Sequence, residues 1–138
     1  MLEITQIHGA DESGKLNEDW FVVENHGKES VSLRNCQVGW SRPSARKYQI
    51  VAKLEPGFTL DSRSKIRVVS GNPRSKTTGV APSDDIPNYF LFLKKAFLSR
   101  SGGMVRILRG QMTMVEAIYD PSSENGVAAR SKEASADQ

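Results

Sequence analysis

The stretch Asn17-Glu18-Asp19-Trp20-Phe21-Val22-Val23-Glu24-Asn25-His26-Gly27 constrains the fold more than any other part of the chain. Trp, Phe and two Val in succession suit a pleated, half-buried surface. Asn25 and Gly27 then supply the left-handed conformations that a tight turn needs. Val31 to Leu33 and Gln37 to Trp40 follow closely, so the pattern is strand, turn, strand. Comparable short runs recur at Leu2 to Ile7, Tyr48 to Val51, Lys65 to Ser70, Tyr89 to Leu93, Met104 to Leu108 and Met112 to Tyr119. Turn residues separate them: Gly9, Glu55-Pro56-Gly57, Gly71-Asn72-Pro73, Gly102-Gly103 and Arg109-Gly110-Gln111. No amphipathic helix interrupts the series. Many short strands divided by turn signals predict an all-β, antiparallel β-sandwich of about eight strands. Trp20 and Trp40 are assigned to its core, packed between the sheets.

A chain of 138 residues is one domain by size. The longest apolar run, Tyr89 to Leu93, falls far short of the roughly 18 residues of a membrane span, so no membrane partner is expected. Met1 to Ile7 shows neither the basic nor the apolar region of a signal peptide. Cys36 is the only cysteine, which excludes an internal disulfide and suits a reducing, cytoplasmic setting. Residues 1–120 are read as the domain. Residues 121–138 lack aromatics and hold little apolar matter, and are expected to form a disordered tail. Residues 71–88 hold three Pro, two Gly and no aromatic. Loops of that length tend to be functional or disordered.

Sequence signals for catalysis are absent: no Gly-x-Ser-x-Gly, Gly-x-x-x-x-Gly-Lys, Gly-x-Gly-x-x-Gly or His-Glu-x-x-His occurs. His8, His26 and Cys36 fall on separate elements without the paired spacing of a zinc site. The two histidines are read as bordering turns and Cys36 as a small buried hydrophobe. Asp84-Asp85 and Glu18-Asp19 are read as solvated carboxylates rather than a calcium site. The expectation is a protein that is not an enzyme and carries no cofactor or metal.

Charge is the one uneven feature. The net charge of +3 conceals −5 over residues 1–33, +11 over 34–109 and −3 over 110–138. Arg63, Lys65 and Arg67 recur at period two and would form one row on a strand. Lys94, Lys95, Arg100, Arg106 and Arg109 flank the Gly102-Gly103 turn. These eight residues are the candidate contacts to a nucleic acid or an acidic partner. Tyr89, Phe90, Phe92 and Phe97 lie close enough in sequence to stack on bases. The other reading leaves those aromatics in the core and the cations on a solvated face, with acidic and basic segments neutralising one another across the fold.

The opening stretch, Asn-Glu-x-Trp-x-Val-x-Glu-Asn-x-Gly, resembles the start of lamin-tail domains, which are immunoglobulin-like β-sandwiches. The resemblance continues at Phe58-Thr59-Leu60, at Ile66-Arg67-Val68-Val69-Ser70-Gly71 and at Phe97, Gly102, Val105 and Ile107, so it spans roughly residues 2–119. Phe97 stands where the family commonly has tryptophan. No heptads precede the first strand, which resembles a stand-alone, prokaryotic-type member. The resemblance implies a protein-interaction or assembly module, working here through a sheet edge and the 71–88 loop on a protein partner or a second copy. Binding of DNA through the basic stretch 63–109 is the alternative.

Overall fold

The structure is a computed structural model and describes residues 1–45, 47–98 and 101–128. Its strands are β1 (Leu2–His8), β2 (Trp20–Asn25), β3 (Val31–Ser32), β4 (Gln37–Ser41), β5 (Gln49–Lys53), β6 (Thr59–Leu60), β7 (Lys65–Val69), β8 (Asn88–Phe90), β9 (Gly103–Arg109) and β10 (Met112–Tyr119). One sheet has the order β1-β2-β7-β8, the second β10-β9-β4-β5, and β3 pairs with β6 alone. The protein is all-β, with sheets arranged as a sandwich. Ten strands form where about eight were expected, since β3 and β6 are two-residue strands below the length at which alternation can be read.

Alternation within each strand decides which side chains meet between the sheets. Phe21 and Val23 of β2, Val68 of β7, Val38 and Trp40 of β4, Val105 and Ile107 of β9, and Val115 and Ala117 of β10 all join one core. Ile4, Ile7, Leu33, Cys36 and Leu54 complete it, so Cys36 is buried as expected. Trp40 occupies its expected place there. Trp20 does not. With Phe21 and Val23 turned inward, Trp20 and Val22 must face outward, where they form a second cluster with Val69, Ala81 and Phe90. Trp20 is still only 7% exposed. The unbroken run Trp-Phe-Val-Val therefore reports a strand covered on both faces, the pattern of a buried strand rather than of one wet face.

The cover is the 71–88 segment. β8 runs parallel to β7, with Arg67, Val68 and Val69 opposite Asn88, Tyr89 and Phe90. The sheet is thus mixed rather than wholly antiparallel as expected. A parallel neighbour cannot follow a tight turn; it requires a crossover of a dozen or more residues. Residues 70–87 are that crossover, built without a helix. Their length follows from the topology.

The expected boundary at residue 120 also moves. The Ile7 N–H donates to the Asn125 carbonyl at 2.9 Å, the Ala128 N–H donates to Ile118, and Val127 bridges Tyr119. Gly126 has φ +82° and lies so close to the Ile7 carbonyl that an added Cβ would overlap it. Residues 121–128 are thereby fastened to β1 and β10. The remainder of the segment read as a tail, 129–138, lies outside the described residues. No helix among the described residues is long and apolar enough to cross a membrane.

Candidate functional site

Three polar side chains of the opening stretch are buried, and each has a constructional task. Asn17 sits in a single turn of 3-10 helix at Leu16–Glu18. Its side-chain amide N–H groups reach the carbonyls of Asn72, Ser75 and Gly79 and the Thr78 hydroxyl at 2.9–3.1 Å. Its carbonyl accepts from the Asn72 N–H at 2.7 Å. Asn17 thus pins the first half of the crossover loop. Asn25 does the same at the opposite end of β2, donating to the carbonyls of Glu29 and Leu60 and accepting from the Gly27 N–H.

Asp19 is fully buried and accepts from the Ala10, Phe97 and Leu98 N–H groups and from the Ser70 hydroxyl. Burial pushes its carboxyl above the ordinary carboxylate range, and these four donors pull part of the way back. Asp19 thereby ties the segment before β9 to the starts of β2 and the 8–19 loop. The Glu18-Asp19 pair is not a solvated pair as expected, since one member is a core anchor.

The eight candidate cations do not form one surface. Arg67 is only 2% exposed. Its guanidinium lies 4.9 Å from the Trp20 ring centroid, donates to Asn88 at 2.8 Å and pairs with Asp84 at 2.7 Å. The Arg67 guanidinium in turn holds the Asp84 carboxyl below the ordinary carboxylate range. Period two placed Arg67 in a row with Lys65, but the covering loop encloses the inner end of that row. Arg63 and Lys65 remain exposed near the Asn25 end of the sandwich, the Arg63 N–H bonded to the Asn25 carbonyl and Lys65 opposite Glu24. Arg109 is at that end too, bonded to the Ser32 carbonyl. Arg106 lies on the other sheet, stacked 4.8 Å from the Tyr48 ring centroid and paired with Glu116 at 3.4 Å. Arg100 lies outside the described residues.

Of the eight, Lys94 and Lys95 share one groove, while Arg106 lines a separate cleft beside Ser41 to Ala45. The groove shared by the two lysines is open, about 910 Å³, and is also lined by Arg42 and Lys47. One wall is the 41–51 segment, including Gln49, Ile50 and Val51 of β5; the other is Leu93 to Phe97. Among the described residues four cations line it, and no carboxylate does. β5 is the last strand of its sheet, so one of its sides has no strand partner among the described residues. Ile50 is exposed there. The floor is apolar, with Trp40 and Phe97 in edge-to-face contact at 5.9 Å between centroids.

The chain matches no protein-family model and no curated protein. The groove therefore has to be read from its own chemistry.

Arg42 and Lys47 escaped the sequence reading because their segment, Arg42-Pro43-Ser44-Ala45-Arg46-Lys47, looked like a plain loop. Its density of cations was the available signal. Phe92 is a further residue of note: it is 62% exposed with φ +58°, a conformation uncommon for a bulky side chain. Its N–H donates to the Gly71 carbonyl, which carries the chain from β8 into the groove wall. Of the other groups with ligand chemistry, His8 stacks on Trp20 at 5.2 Å, and His26 pairs with Glu3 at 2.8 Å. Among the described residues no three His, Cys, Asp or Glu side chains are grouped to hold a metal ion.

Proposed function

We propose that this protein is a non-enzymatic recognition or assembly module of lamin-tail type, acting in the cytoplasm through an open sheet edge. One observation carries the reading: among the described residues β5 presents an edge with no strand partner, and its Gln49, Ile50 and Val51 line a groove. An open edge is a row of free N–H and C=O groups, able to pair with an extended peptide or a second copy of the chain. The resemblance to lamin-tail domains supports the same class of function. Its two motif asparagines, Asn17 and Asn25, hold the loops that frame such a sandwich. Pinned by Asn17 and enclosing Arg67, the 71–88 loop is better suited to carry the fold than to seize a partner, so the reading rests on the edge.

The test is a titration of the full chain, followed by backbone amide shifts, with acidic, neutral and basic β-forming peptides, alongside sedimentation across protein concentrations. The expected result is perturbation over Gln49–Lys53 by at least one peptide, or a concentration-dependent dimer. A monomer whose β5 amides no peptide moves would overturn the reading.

A second reading has an observation of its own: four cations and, among the described residues, no carboxylate in one groove would also attract phosphates. It expects affinity for DNA that falls steeply between roughly 50 and 200 mM salt. Equal binding at both salts, or none at either, would exclude it.

A further inference from the structure

We propose that the β5 groove selects an acidic, extended peptide segment, which adds to β5 as a further strand while its carboxylates meet Arg42, Lys47, Lys94 and Lys95. This rests on the edge reading above and names the partner's chemistry. The four cations stand on both walls, so a chain lying between them would find positive charge on either side. None of the four has an acidic partner among the described residues, in contrast to Arg67 with Asp84 and Arg106 with Glu116. Arg67 and Arg106 are thus paired within the molecule, whereas the four groove cations are left to meet charge from outside.

The shape of the edge limits the register. The β4–β5 ladder slips at Val51, which stands as an extra residue between Ile50 and Ala52. A bulge followed by Lys53 blunts the far half of the strand against pairing. Gln49 and Ile50, which line the groove ahead of the bulge, stay available. The guest strand is therefore short and centred on the groove.

Two other occupants fit less well. A second copy docking edge to edge would set four cations against four, and like charges across an interface are costly. Single-stranded nucleic acid needs open ring faces to stack on. Within the groove's lining Trp40 is only 6% exposed and its indole belongs to the core; the exposed Phe92 lies outside that lining, and one face of Tyr48 is occupied by Arg106. A backbone edge, by contrast, matches a peptide.

The experiment uses fluorescence anisotropy with the full chain and a labelled peptide of alternating Glu and Val, about ten residues long, the span of a long strand. Its comparators are the same peptide with alternate amides N-methylated, a Ser–Val and a Lys–Val peptide, and oligo-thymidine. The Glu–Val peptide is expected to bind and the Lys–Val peptide not to bind. N-methylation is expected to weaken binding at least tenfold, by removing edge hydrogen bonds. The double variant Lys94→Glu with Lys95→Glu is expected to cost at least about tenfold, while Arg63→Glu with Lys65→Glu leaves affinity within about twofold. Amide shifts of the unaltered chain, expected at Gln49 to Val51 and Leu93 to Phe97, keep the test decisive should a variant fail to fold. Equal binding of Ser–Val and Glu–Val peptides would overturn the acidic preference and leave edge recognition standing. Indifference to N-methylation would overturn strand addition. Binding of oligo-thymidine without any peptide would overturn the edge reading and the peptide proposal together, and a β5-mediated dimer would overturn the peptide proposal alone.

Discussion

A single asparagine amide organises almost half of the crossover loop, so Asn17 should be felt far beyond its own size. Asn17→Ala would take the partners from the Asn72 N–H and the Gly79 carbonyl in a part-buried site, and would remove one of two donors from the Asn72 and Ser75 carbonyls. Unmet buried polar groups cost about 1–3 kcal/mol, so a loss of about 2–3 kcal/mol is expected in urea unfolding. A loss below about 0.5 kcal/mol would show that water replaces the hub. Gly71 belongs to the same device, because a Cβ there would overlap the Asn17 side-chain carbonyl oxygen. Asp19 offers a pH test. Its native carboxyl titrates above the unfolded value of 3.8, so the native state binds the proton more readily than the unfolded chain. The stability linked to that proton is complete below 3.8 and is lost as pH rises through the raised value. Unfolding midpoints measured from pH 3 upward should therefore fall relative to those of Asp19→Asn as pH climbs through that window; a constant difference would refute the shift. The sequence displayed Asn17, Asp19 and Asn25 as parts of one motif but not their roles. Those roles depend on Asn72, Ser70 and Leu60, which are distant in sequence and adjacent only in the fold.

At the level of elements, most strands were legible because alternation and turn residues are local signals. The parallel placement of β8 was not, since pairing direction depends on where a long segment travels. Once that crossover is known, three differences share one cause: Trp20 buried in a second core cluster rather than between the sheets, Arg67 enclosed, and a loop that is anchored. The anchoring can be tested with trypsin, because Arg74 and Lys76 are exposed on a backbone tied down around them. In the Asn17→Ala variant, cleavage after these residues should be at least about tenfold faster, since local opening controls access. Equal rates would mean that Asn17 does not hold the loop. Arg67 separates packing from charge. Arg67→Ala removes a buried side chain whose guanidinium lies over the Trp20 ring and should cost about 2–4 kcal/mol. Arg67→Met keeps the volume, and Asp84 is exposed enough to regain water, so its cost should stay below about 1.5 kcal/mol. Similar losses in both would show that the ion pair, rather than the packing, secures the crossover.

For the molecule as a whole, the question is how a basic central segment is distributed once folded. The sequence showed the +11 excess but not its geometry, because neighbours along a strand alternate faces and the segment contributes to both sheets. Arg63, Lys65 and Arg109 lie near the Asn25 end, Arg67 is internal, Arg106 is paired, and Lys94 and Lys95 join Arg42 and Lys47 in the groove. This distribution limits how any polyanion can bind. The salt dependence of affinity counts the phosphates neutralised, at about 0.7 per contact for a single strand. Four groove cations acting together give a logarithmic slope of roughly −3, whereas all eight sequence candidates acting together would give roughly −6. Anisotropy of labelled single-stranded DNA between roughly 50 and 200 mM salt distinguishes the two. A slope near −3 that Lys94→Glu with Lys95→Glu abolishes would confine polyanion binding to the groove. A slope near −6, unaffected by that variant, would mean that a single ligand spans both ends of the sandwich, and the groove would lose its standing as the charged site.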